Sequence, residues 1–125
     1  MKTASIDEYI RIYRNGLLND IIPFWIRHSI DTEFGGFMFS VDRDGSRLDT
    51  DKGMWQTSRF TWMLATLYNQ VEKRQEWLDL AIHGIEFIRK YGFDKDGRMF
   101  FHLNRAGAVA VTRAGRRAGL LAQVR

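Results

Sequence analysis

The sequence contains no cysteine and a single proline among its 125 residues. The first absence excludes a disulfide scaffold and a thiolate metal site, and it fits a cytosolic setting. No stretch approaches the about 18 consecutive apolar residues of a membrane-spanning helix, and the start, MKTASIDEYIRIYRNG, has neither a continuous apolar segment nor a small-residue cleavage site. A soluble, cytoplasmic protein with no membrane partner is the expectation. Also missing are G-x-G-x-x-G, a Walker Gly-Lys-Ser/Thr, H-E-x-x-H and G-x-S-x-G, and no spacing sets two carboxylates on one helical face. What is present is ample apolar material, 45% hydrophobic and 14% aromatic, enough for one globular core and no more than one domain.

Acidic residues are missing from one end. Residues 101–125 hold five of the 19 Lys and Arg and none of the 15 Asp and Glu, so residues 1–100 are nearly balanced at 14 against 15. The net charge of +4 therefore belongs to the tail, and no nucleic-acid partner is expected. From residue 105 the tail is dominated by Ala, Gly, Arg and Val. It is either a basic arm that docks on nucleic acid or membrane or sequence unrelated to the preceding fold, through truncation or a change of reading frame.

Ser5-Ile6-Asp7-Glu8 reads as a capping box, and Ile6, Ile10, Tyr13, Leu17, Ile21 and Trp25 follow at steps of three or four. This pattern predicts a helix over about 5–28, kinked at Pro23 where a backbone donor is lost. Phe37 to Val41, closed by Asp42-Arg43-Asp44-Gly45, reads as a small β-hairpin whose carboxylates cap turn N–H groups. A second helix is expected from an N-cap at Thr50 or Asp51 to about Asn69, with Trp55, Arg59, Trp62, Met63 and Thr66 on one face. A third spans Gln75 to Tyr91, with Trp77, Ala81, Ile85 and Ile88 as its stripe and Gly92 as C′. Asp94 to Gly97 then turns into a second hairpin-like stretch, Met99 to Leu103.

The chain repeats itself at an offset of 62. Trp25-Ile26-Arg27 matches Phe87-Ile88-Arg89, Gly35 matches Gly97, and Phe37-x-Phe39-x-Val41-Asp42-Arg43-x-Gly45 matches Met99-x-Phe101-x-Leu103-Asn104-Arg105-x-Gly107. The unit is helix, β-hairpin, helix, and such units bury a continuous core only when stacked. Six of them closed into a ring would need about 372 residues. The fold class expected is all-α: an N-terminal fragment of an (α/α)6 barrel, or toroid, of helical hairpins with small β-hairpins between helices. Residues 1–107 are expected to be its repeats and 108–125 a basic tail that departs from them. The counterpart of the Thr50 to Asn69 helix should begin at Thr112, but Arg-Ala-Gly-Arg-Arg-Ala-Gly puts two glycines into its first turns.

Pro23-Phe24-Trp25 through Ser29-Ile30-Asp31, Glu33-x-Gly35-Gly36-Phe37, Asp42-Arg43-Asp44-Gly45, Asp49-Thr50-x-Lys52 and Trp55-x-x-x-Arg59-x-x-Trp62 together resemble the N-terminal quarter of the N-acylglucosamine 2-epimerase family, over roughly residues 5–105. That group includes cellobiose 2-epimerases and mannose or sulfosugar isomerases. The resemblance implies inner helices that line a sugar pocket, a small-molecule sugar substrate, no metal and no redox cofactor. It also implies a reaction: one histidine removes the C2 proton of a ring-opened aldose, and a second returns a proton to the opposite face at C2 or to C1. Two groups near pKa 7 and a fixed cation for the oxyanion meet that demand.

Arg59 matches the Arg of the family's Trp-x-x-x-Arg element and is the catalytic candidate, with Trp55 as the substrate-binding residue beside it. On residue chemistry alone, Arg59 could equally pair with a carboxylate or carbonyl, and Trp55 could be core. His28 lies where a helix C-terminus favours a cation, His83 on an outer helix, and His102 on a strand, facing away from Phe101 and Leu103. None of the three matches a catalytic histidine of the family. Those residues are expected beyond residue 125, and the chain alone is expected to be inactive. Two other functions stand beside this one: a glycoside hydrolase on the same toroid, which needs two carboxylates about 5–10 Å apart, and a non-catalytic fragment whose uncovered apolar faces self-associate or bind a partner.

Overall fold

A computed structural model of the chain describes residues 3–111. The helix expected from Thr112, with most of the tail, lies outside the described residues. Four α-helices and three short strands follow in order: α1 (Ile6–Gly16), α2 (Ile22–Ser29), β1 (Lys52–Gly53), α3 (Met54–Gln70), α4 (Gln75–Tyr91), β2 (His102–Leu103) and β3 (Val109–Val111). The all-α character and the small β elements are those expected.

The first long helix is continuous but contains a π turn at Leu17–Ile21, between α1 and α2. Pro23 falls in the first turn of α2. A proline ring collides with the carbonyl four residues earlier, and a wider turn just before it relieves that collision. The extra residue also shifts the apolar stripe by one. Leu18 and Ile22 enter the core, where the spacing had put Leu17 and Ile21, and Ile21 is half exposed. At the other end Ser5 caps Glu8 N–H at 3.2 Å. Only that half of the expected capping box forms among the described residues.

Helices α3 and α4 form an antiparallel hairpin joined by residues 71–74. The buried side chains of α3 are Met54, Thr57, Phe60, Thr61, Leu64 and Leu67. This face is opposite to the one singled out in the sequence. On α4 the buried stripe is Trp77, Ala81, Gly84, Phe87 and Ile88, so Ile85, expected inside, lies 44% exposed and Gly84 takes its place. A side chain at Gly84 would overlap Thr61 Oγ1 and stand 2.8 Å from the Phe37 ring, which is why the helices approach so closely there. Gly92 is the C-cap of α4 in right-handed conformation, not a left-handed C′ residue.

The 62-residue repeat is visible in the backbone. Gly35 and Gly45 have positive φ, and so do Gly97 and Gly107. Asp42 N–H bonds Ser46 O and Gly45 N–H bonds Asp42 O; Asn104 and Gly107 repeat both bonds, to Ala108 O and Asn104 O. The first of these loops is not a ladder hairpin, since it holds only the isolated bridges Ile30–Phe37 and Val41–Arg47. Its turn is made by carboxylates, as expected: Asp42 accepts from Arg43 N–H and Asp44 from Ser46 N–H.

The second loop does enter a sheet. Strand β2 lies between β1 and β3, both antiparallel, with Lys52 opposite Leu103 and Gly53 opposite His102. A bulge between His102 and Leu103 interrupts its register with β3. Because Lys52 and Gly53 belong to this sheet, α3 starts at Met54 rather than after a cap at Thr50 or Asp51. Met54, Phe87 and Leu103 form a small core beneath the sheet, separate from the larger one around Phe37, Phe60 and Leu64.

Candidate functional site on the exposed face of α3

The start of α3 is held from three sides. Met54 N–H bonds Phe101 O at 3.1 Å, β1 is paired with β2, and the side chain of Lys52 is fully buried. Its ammonium donates to Asp31 Oδ2 at 2.8 Å, Gly35 O at 2.6 Å and Arg105 O at 2.7 Å, so all three protons are used. Asp31, also buried, accepts two further bonds from Arg105, at 2.9 Å from Nε and 3.1 Å from Nη2, and two from the backbone N–H groups of Glu33 and Phe34. Arg105 reaches on to Glu33 at 3.2 Å and lies over the Phe34 ring. The cluster ties the first loop, the start of α3 and the second loop into one joint.

Electrostatics follow from this geometry. Burial opposes ionisation of Asp31, but the hydrogen bonds from Arg105 and Lys52 outweigh it and hold its carboxyl well below the usual carboxylate range. Burial pulls the Lys52 ammonium below its ordinary value, against the hydrogen bond it donates to Asp31. Arg105 is pushed up by its bond to Asp31.

With its start fixed in this way, α3 turns Trp55, Arg59 and Trp62 outward at steps of four and three, one helical face. Trp55 is 65% exposed and Trp62 62%, so neither is core. The Arg59 guanidinium lies over the Trp55 ring, 5.2 Å from its centroid. Among the described residues it makes no ion pair or hydrogen bond. Together with Ser58 these three residues line an open groove of about 340 Å³, and the Ser58 hydroxyl faces Met99 Sδ at 4.0 Å. Met63, read from the spacing as part of this face, packs instead against the larger core. The groove offers what a polyol needs: an aromatic surface for C–H groups, a hydroxyl, and a planar cation whose donors are unengaged among the described residues.

The histidines are placed elsewhere. His28 packs at a tilt against Phe24, with ring centroids 4.8 Å apart, and covers Gly45. His83 lies 2.9 Å from Gly36 O, edge-on to Phe37. His102 points away from buried Leu103 and lies 3.5 Å from Asp51. No group of three His, Cys, Asp or Glu is arranged for a metal ion among the described residues, and no helix there is long and apolar enough to cross a membrane.

Sequence reasoning singled out Trp55 and Arg59 as candidates and missed the joint that holds the start of their helix. Asp31 and Lys52 were visible only as letters of family-like motifs, and Arg105 as one charge of a basic tail.

Comparisons with known proteins agree on one family. The sequence profile described as N-acylglucosamine 2-epimerase (GlcNAc 2-epimerase) matches residues 35–115. Mouse N-acylglucosamine 2-epimerase is 42% identical over 76 residues, 59% of this chain and 18% of that protein. Cellobiose 2-epimerase of Dictyoglomus turgidum is 37% identical over 89 residues, 68% of this chain and 22% of that protein. The solved structure of cellobiose 2-epimerase from Bacillus thermoamylovorans superposes with a TM-score of 0.75 at 28% identity, covering 83% of this chain and 27% of that one. The architecture is that of a fragment of the (α/α)6 barrel, and the chain spans about a fifth of the length of the curated relatives it matches.

Proposed function

Because the chain belongs to the N-acylglucosamine 2-epimerase family, we propose that the Trp55–Arg59–Trp62 face of α3 is part of a sugar site for 2-epimerisation or aldose–ketose isomerisation. The supporting observation is the Arg59 guanidinium, which is stacked on an exposed tryptophan and has no carboxylate partner among the described residues. An arginine left unpaired on an aromatic face is suited to an anionic oxygen that appears during reaction. Removal of the C2 proton of a ring-opened aldose moves charge onto the C1 oxygen, and a fixed guanidinium stabilises that enediolate more than it stabilises the neutral aldehyde. Trp55 supplies a stacking surface for the carbon chain. Protonation at C2 from the other face gives the epimer, and protonation at C1 gives the ketose.

Proton transfer needs a base that reaches C2, and the three described histidines are engaged away from the groove. In this reading the chain binds sugar without turning it over. Among the described residues no carboxylate lines the groove, so they offer no acid–base pair there for hydrolysis of a glycoside. The substrate class is the open-chain aldose, with N-acetylglucosamine and cellobiose, the sugars in the relatives' names, and mannose, the sugar of the isomerases in the same group, as the first to try. The absence of cysteine supports a cytoplasmic setting.

The test is exchange of the C2 proton in D2O, followed by NMR for each of the three sugars. The expected result with this chain is no exchange above the buffer rate. Exchange that disappears in Arg59→Ala would place the base within the chain and overturn the claim that it lacks one; exchange untouched by Arg59→Ala would overturn the role of Arg59.

A further inference from the structure

The serine and threonine hydroxyls of helices α1 to α4 meet three different fates. Ser29, Thr61 and Thr66 donate back to the carbonyl four residues earlier, at 2.6, 2.7 and 2.9 Å, as hydroxyls inside helices commonly do. Thr57 Oγ1 is buried without a partner among the described residues. Ser58 differs from all of these: it is half-buried beside the groove, and its hydroxyl donates to the sulfur of Met99, 4.0 Å away. A thioether is a weak acceptor, so breaking this contact costs little.

The rest of the groove makes that hydroxyl matter. The other lining residues are Trp55, Arg59 and Trp62, and their polar atoms are all donors: a guanidinium has N–H groups and no acceptor, and so does an indole. A sugar hydroxyl brings a proton as well as lone pairs, and a proton taken out of water without an acceptor carries a penalty. Among the described residues that line the groove, Ser58 Oγ is the one side-chain atom able to accept that proton, and it can donate in return.

We infer that Ser58 is a specificity-determining residue of this site: its hydroxyl exchanges Met99 Sδ for a sugar hydroxyl and accepts the proton of that hydroxyl. The inference rests on the sugar-site reading of α3 and deepens it. The indole faces and the guanidinium hold the carbon chain and an anionic oxygen, whereas Ser58 sets which hydroxyl the sugar has to carry. A site built to hydrogen-bond a hydroxyl discriminates against the analogue that lacks it.

The test is an NMR titration of the full chain with mannose and with the four derivatives that lack its hydroxyl at C2, C3, C4 or C6. The indole N–H signals of Trp55 and Trp62 are followed in the wild type and in Ser58→Ala, Ser58→Thr and Met99→Leu, with circular dichroism to confirm that each variant remains helical. In the wild type at least one derivative is expected to bind about threefold to tenfold more weakly than mannose, the range of a single neutral hydrogen bond. Ser58→Ala should weaken mannose by the same factor and leave that derivative as it was, so that the preference disappears. Ser58→Thr, which keeps the hydroxyl, and Met99→Leu, which removes only the displaced acceptor, should retain the wild-type preference. A preference unchanged in Ser58→Ala, or a Ser58→Ala loss shared equally by mannose and all four derivatives, would overturn the role of Ser58 and leave the sugar site standing. Indole signals that stay still with mannose would overturn the sugar-site reading and this inference together.

Discussion

The ammonium of Lys52 and the carboxylate of Asp31 lie 2.8 Å apart, and neither side chain is exposed to solvent. The two are separated by 21 positions in sequence, and through them the first loop fixes where α3 begins and which way Trp55 and Arg59 face.

The two partners are not equivalent. Removing Lys52 leaves Asp31 with its paired bonds from Arg105 and two backbone N–H groups, whereas removing Asp31 leaves a buried ammonium with only carbonyls. Asp31→Leu is therefore expected to cost about 3–5 kcal/mol, the range for breaking a buried pair, and Lys52→Met roughly half of that. The double variant should be no less stable than Asp31→Leu alone, because the second change removes the stranded charge. Urea denaturation of the three variants, read as midpoints at constant slope, checks the order.

Acid should reveal the same pair. The folded-state pKa of Asp31 is depressed relative to the unfolded chain, so its contribution is complete above the unfolded value of about 4 and is lost as pH falls through the lower folded value. Wild-type stability should drop between about pH 4 and pH 2 more steeply than that of Asp31→Asn, and the gap between them should narrow toward the acid end. Parallel curves for the two proteins would show that Asp31 does not titrate with folding.

Much of this architecture could be read from the residues, and what could not has a common physical reason. Helices α3 and α4 announce themselves by periodicity, and the repeat at 62 residues foretold paired turns whose glycines do share positive φ. Periodicity, however, does not say which side of a helix meets the core. On α3 the stripe of Trp55 and Trp62 is as aromatic as the buried one, and only packing against α4 decides between them. The π turn shifts a register that spacing alone extrapolates straight through. The joint was illegible because Asp31, Lys52 and Arg105 come together across up to 74 positions, and a lone lysine or arginine in a loop carries no periodic mark.

Two glycines separate close approach from mere helix propensity. Gly84→Ala inserts a methyl group against Thr61 and Phe37 and should destabilise by about 1–3 kcal/mol, as overpacking does. Gly16→Ala, with nothing within 4 Å of the added carbon, should stabilise by about 0.5–1 kcal/mol. Thermal unfolding of both variants is the check, and a shift of the same sign in both would mean that α3 and α4 are not in contact at Gly84.

The most direct measurement for the sugar site is an NMR titration of the chain with mannose, cellobiose and N-acetylglucosamine, following the indole N–H signals of its four tryptophans. Selective movement of the Trp55 and Trp62 signals is expected with at least one sugar, weakened at least severalfold in Arg59→Ala and in Trp55→Ala, while the Trp25 and Trp77 signals stay in place. Signals that remain still for all three sugars, or that move equally in Arg59→Ala, would contradict a sugar site on this face of α3.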